Sequence, residues 1–223
     1  MLKKVLSFLI KLALVGIGTA GIISTYISAG FMSGNTTLLY FTIQSNITII
    51  TITFVFLINS LLVLLGKKSF INQPLLYIKF CFTVAITLTF IVFVTLLAPI
   101  VGLNYFLSFN NFSLHIIVPI LAILDFFLFD YEIKITKKTF LIGTFMPIYY
   151  FIFYLIGRTR GFKYIDGADA PYFFLDYTKY GWFTISKDGL GVFYWVVILI
   201  VFVALIGILY SFLMHLRQKN RDL

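Results

Sequence analysis

Two polar islands in this sequence hold residue types that can do chemistry together. The first is Tyr40-Phe41-Thr42-Ile43-Gln44-Ser45-Asn46, near the start of a long apolar segment. The second, Ser113-Leu114-His115, opens another. Polar groups in a lipid setting need partners, so their presence asks for a reason. Helical spacing puts Thr42, Ser45 and Asn46 on one face and Gln44 roughly opposite. Threonine is a poor nucleophile until a base takes its proton, and neutral histidine can be that base. Asn46, or Gln44 if it turns inward, could donate to a developing oxyanion.

The pair lacks an evident orienting carboxylate. Asp125 follows on the same apolar segment as His115, but lies about 15 Å deeper at the rise of a helix. Asp176, in a hydrophilic loop, is the remaining candidate. Pro119 cannot donate to the carbonyl four residues earlier, which is that of His115, so a free acceptor and a kink are expected there. Structural roles stand beside these. A membrane threonine often bonds its own preceding turn, and a histidine near a helix end can be a polar cap. Asp125 reads more simply as a structural lock with Lys79 or a hydroxyl. The run Tyr172-Phe173-Phe174-Leu175-Asp176-Tyr177 is either an interfacial aromatic belt or a lid.

The elements that must position these groups are membrane spans. The chain has 223 residues, 61% hydrophobic and 11% charged, more apolar than a soluble domain of this size needs. Spans are expected at about 5–27, 38–65, 76–98, 112–129, 140–156 and 190–213. The predicted fold is all-α, a single bundle of six transmembrane helices. Lys11 in the first span is expected to snorkel to the interface. Gly16 with Ala20, and Gly18 with Gly21, offer small-residue surfaces to a neighbour.

The net charge of +9 sits in short clusters between apolar runs, which argues for orientation in a bilayer and against nucleic acid. Lysine and arginine mark the amino end, the loops after spans two and four, and the tail. By the positive-inside rule both termini are cytoplasmic. The segment 157–188 is then the one sizeable outer loop, and Thr42 and His115 lie roughly 6 Å and 5 Å into their helices from the outer side. One cysteine, Cys81, and two histidines leave no zinc cluster, and Cys81 falls in the leaflet opposite His115. No cofactor or metal is expected. The setting is a multi-pass protein of the plasma membrane with membrane lipids as its partners.

Three motifs carry a family resemblance: Tyr40-Phe41-Thr42-Ile43-Gln44-Ser45-Asn46, then Leu114-His115-Ile116-Ile117-Val118-Pro119 leading to Leu124-Asp125-Phe126, then Pro171-Tyr172-Phe173-Phe174-Leu175-Asp176. In order and spacing they resemble the Pr-six-Pr family of bacterial six-span membrane proteins. That group is distantly similar to the androgen-induced proteins of animals, multi-span hydrolases of fatty acid esters of hydroxy fatty acids that use one threonine and one histidine. The resemblance implies Thr42 as nucleophile, His115 as base and an acyl ester as substrate. Gln44-Ser45-Asn46 departs from the animal pattern. A lipid or small-molecule carrier built around Asp125, Asn46, Pro119 and Pro147, and a non-catalytic assembly protein, are the alternative readings.

Overall fold

The computed structural model describes residues 1–30, 34–130, 132–187 and 189–219. Six of its helices are long and apolar enough to cross a membrane: α1 Leu2–Ala29, α2 Phe41–Leu64, α3 Gln73–Leu97, α4 Phe109–Phe129, α5 Thr139–Thr159 and α6 Val192–Lys219. The chain is an all-α polytopic membrane protein. Hydrocarbon cannot hydrogen-bond a peptide group, so segments of this composition satisfy their backbone internally as helices. Asp188 and Arg221, which contribute to the charge pattern, lie outside the described residues.

Helix α3 is the centre of the bundle. Its most apolar stretch is 56% buried, against 22–44% for the others. It packs on α2, α4, α5 and α6, while α1 covers α2 and α4 on one side. Gly18 and Gly21 permit that close approach. A Cβ on Gly21 would stand 2.5 Å from Ser113 Oγ, and one on Gly18 2.6 Å from Ile50 Cδ1. Gly16 meets nothing within 4 Å, so only the second small-residue pair is a packing surface.

Three departures from regular helix shape the bundle. Helix α3 ends in a π-helical turn, Phe93–Leu97, closed by Ala98 N–H donating to Phe93 O at 2.7 Å. Helix α4 carries another at Ser113–Ile117, closed by Val118 N–H on Ser113 O. Such turns recur at functional sites. Helix α5 breaks at Thr144, where Pro147 cannot donate to Gly143.

Lys11 does not snorkel. It is 2% exposed and turned into the bundle, donating to Asp125 Oδ1 at 2.6 Å and to Ser7 Oγ at 2.8 Å. Lys79 donates to Asp125 Oδ2 at 2.5 Å, pairs with Asp130, and lies over the Phe56 ring. The reason is Asp125 itself, fully buried on α4, whose charge needs compensation in a medium of low dielectric. Asp125 therefore ties α1, α3 and α4 together at the basic side of the bundle.

At the opposite end the segment between α5 and α6 folds over the helices. It contains a two-residue antiparallel pair, β1 Ile185–Ser186 with β2 Gly189–Leu190. Tyr154 of α5 donates to Leu175 O at 2.7 Å, and Ile165 N–H donates to Tyr40 Oη at 3.2 Å. Asp169 pairs with Arg158 and Lys163. Those two cations hold its carboxyl down to about 2.

Candidate functional site

Thr42 stands at the start of its helix. Helix α2 was expected from residue 38 but begins at Phe41, because Tyr40 is extended (φ −86°, ψ 139°). The N–H of Thr42 is thus one of the orphan donors of a helix N-terminus. It is satisfied from the outer loop, donating to Tyr172 Oη at 3.3 Å. The Tyr172 hydroxyl also interacts with the Thr42 side chain. Burial pushes this phenol up to about 12, so at neutral pH it keeps its proton and can donate it.

Thr42 also lines a cavity of about 70 Å³. One water takes about 10–15 Å³ by this kind of measure, so there is room for roughly five waters or a short stretch of acyl chain. The walls are apolar, with Leu88 and Val92 from α3, Phe151 from α5 and Leu199 from α6. Thr42, Thr89, Tyr150 and Tyr172 bring the hydroxyls. Tyr172, Phe174 and Leu175 close the outer side, with Phe174 and Leu175 only 5% and 4% exposed. These residues cover the cavity, as a lid does.

His115 is held differently. Its ring stacks on Phe93 with centroids 3.8 Å apart and planes at 19°, and Phe93 stacks in turn on Phe106. Nδ1 lies 3.0 Å from the carbonyl of Asn111. A carbonyl only accepts, so Nδ1 carries the proton and Nε2 carries the lone pair in the neutral ring. Asn111 is itself fixed through its side-chain amide, on Tyr105 O at 3.0 Å and Ser108 Oγ at 2.9 Å. The orienting group is therefore a backbone carbonyl one turn earlier. Asp176 does not fill that role. It caps a short helical turn, accepting from Thr178 N, Thr178 Oγ1 and Lys179 N.

No hydrogen bond joins the Thr42 hydroxyl to the His115 ring; Asn46 connects their segments. Its amide donates to Thr42 O at 2.8 Å and to Leu114 O at 3.1 Å. One nitrogen bonds both carbonyls, so Thr42 O and Leu114 O lie close together and the two islands meet there. Thr42 is the second residue of α2, and α4 begins at Phe109, three residues before the expected start. Asn46 Oδ1 is buried without a partner among the described residues. Ser45 bonds Thr89 at 2.8 Å and Thr42 O at 3.0 Å.

The effect of Pro119 reaches a second carbonyl besides that of His115. In the π-helical turn Val118 N–H goes to Ser113 O, so Leu114 O loses its usual donor. Its next donor in that register would be residue 119, which is proline and has none. Leu114 O is free to accept from Asn46. Gln44 is not turned inward: its Nε2 donates to Leu38 O at 3.0 Å. Asp125 belongs to the ion cluster at the far end of α4.

Sequence reasoning about the site missed Phe93, Asn111 and Thr89, and left Tyr172 undecided. Asn111 lies four residues before His115, a spacing that puts the two on one helix face. Phe93 and Tyr172 come from distant segments and leave no local signal. Comparison with family models, curated proteins and solved structures returns no match.

Proposed function

We propose that this membrane protein is a hydrolase of lipid esters, in which the cavity beside Thr42 takes the acyl chain and Thr42 attacks the ester. The observation that carries this is the position of the Thr42 hydroxyl. Thr42 lines a mainly apolar cavity, beneath a loop whose tyrosine hydroxyl sits against it. The motif resemblance to threonine-dependent lipid hydrolases points the same way. Thr42 Oγ would form a bond to the carbonyl carbon while its proton passes to Nε2 of His115, and Tyr172 would donate to the oxyanion. Because no hydrogen bond joins the Thr42 hydroxyl to the His115 ring, the transfer calls for one bridging water. Collapse of the tetrahedral species breaks the ester C–O bond, and the leaving alkoxide takes the proton from His115. Water then cleaves the threonyl ester to release the acid and restore Thr42.

The test is labelling of purified protein by an acylating or fluorophosphonate probe, with release of fatty acid from a lipid ester measured in parallel. Modification at Thr42 and loss of turnover in both Thr42→Ala and His115→Ala support the reading. Turnover that survives both substitutions sinks it. A second reading is favoured by the missing hydrogen bond between Thr42 and His115: the cavity holds a lipid chain without cleaving it. A lipid that co-purifies intact with wild type, with neither labelling nor turnover, would select that reading.

A further inference from the structure

The larger cavity lies at the other end of the bundle, on the side the basic loops assign to the cytoplasm. It measures about 310 Å³, opens outward, and is lined by the start of α1, the end of α2, the 69–71 segment and the end of α4. Five charged side chains line it: Lys3, Lys4, Lys11, Asp130 and Glu132. Lys11 is committed to Asp125, and Asp130 to Lys79. The charges left for a ligand are the exposed Lys3 and Lys4, opposed by the exposed Glu132.

The neutral groups are biased toward donation. Asn59 is 9% exposed, and its Oδ1 already accepts from Ser69 Oγ at 3.1 Å and from Phe70 N–H at 2.9 Å. Its side-chain N–H groups make no bond among the described residues and belong to a residue on the cavity wall. Ser7 Oγ accepts from Lys11, so its own proton is available, and Ser60 adds a further hydroxyl. The rest of the wall, including Phe56, Leu128 and Phe129, is apolar. Cations and donors beside apolar side chains, at the basic end of a membrane-spanning bundle, match a phosphate with hydrocarbon beneath it.

We propose that this cavity is a binding site for a phosphate group, presented by an anionic phospholipid of the basic-side leaflet. Lys3, Lys4 and Asn59 hold the phosphate, and the first part of the acyl region rests on Phe56 and Phe129. Lys11 and Asp130 of the ion cluster line the same cavity, so an occupied site braces α1 against α2 and α4.

The experiment uses the full-length chain in nanodiscs of mixed phosphatidylglycerol and phosphatidylcholine, with retained lipid read by native mass spectrometry. Enrichment of phosphatidylglycerol by about fivefold or more is expected, a size set by the pull of a single lysine near an anionic surface. Lys3→Gln with Lys4→Gln removes the charge. Ser60→Leu and Val63→Phe, separately, fill the cavity and leave the charge alone, and size-exclusion profiles identify a variant that fails to fold. Loss of enrichment in the charge variant and in a folded filling variant supports the site. Enrichment that both filling variants preserve means surface attraction only and overturns it. A thermal-shift titration with inorganic phosphate separates the sources. Stabilisation of wild type but not of a filling variant, without lipid enrichment, keeps the phosphate site and overturns the lipid as its source. Neither enrichment nor phosphate stabilisation overturns the proposal outright.

Discussion

Asn46 and Leu114, 68 residues apart, meet through a side-chain amide and a main-chain carbonyl at 3.1 Å. The bond exists because a π-helical turn and a proline together deprive that carbonyl of a helical donor. Asn46→Leu should therefore destabilise the bundle by about 0.6–2 kcal/mol, the range for interhelical hydrogen bonds in membranes. The same change on a Pro119→Ala background should cost less, since residue 119 then carries an N–H. Thermal unfolding in detergent of the two single variants and the double variant checks this. Strict additivity would mean that the proline and the asparagine act separately.

His115 has two separable features, its stack on Phe93 and its free ring nitrogen. His115→Phe keeps an aromatic ring for the stack and removes the base. Unfolding temperature should stay close to wild type while labelling of Thr42 falls at least about a hundredfold, the lower range for loss of a general base. Thr42→Ser keeps the hydroxyl and should retain labelling. A His115→Phe variant that unfolds early but still labels when folded would make the histidine a packing residue.

Asp125 compensates two buried lysines at once. Asp125→Asn leaves Lys11 without a carboxylate and Lys79 with Asp130 alone. The expected loss is about 3–5 kcal/mol, as for breaking a buried ion pair from one side. Joining Asp125→Leu to Lys11→Met removes both members of one pair and leaves Lys79 with Asp130. That double variant should be more stable than Asp125→Asn. The monodisperse fraction on size-exclusion chromatography and the unfolding temperature give the ranking.

The six helices could be read from the sequence because long uncharged runs admit few other structures in lipid. The Asp125–Lys79 contact was within reach too, since a buried carboxylate in a membrane needs a cation. Lys11 was misjudged for a positional reason. Near a helix end snorkelling is cheap, and only the three-dimensional packing of α1 on α4 brings it within 2.6 Å of Asp125. The helix starts at the site were each off by three residues. Tyr40 is extended and α4 starts at Phe109, and neither boundary is marked by a residue that dictates it. The partners of Thr42 and His115 across the bundle, Tyr172 and Phe93, depend on tertiary packing, which local spacing does not encode.

The lid should respond to acid through Asp169. Arg158 and Lys163 hold its carboxyl at about 2, below its ordinary value of 3.8. A carboxylate depressed in the folded state contributes order above its unfolded pKa and loses it as pH falls toward the folded one. The loop should therefore be unchanged from pH 8 to pH 5 and loosen between about pH 4 and pH 2. Arg158 also lies over Tyr177, which stacks on Trp182 with centroids 5.1 Å apart, so Trp182 emission reports the change. In a Trp195→Phe background the emission should shift within that acid window, and Asp169→Asn should show the acid spectrum already at pH 7. A transition centred near pH 6, or one that Asp169→Asn leaves in place, would assign the response to another group.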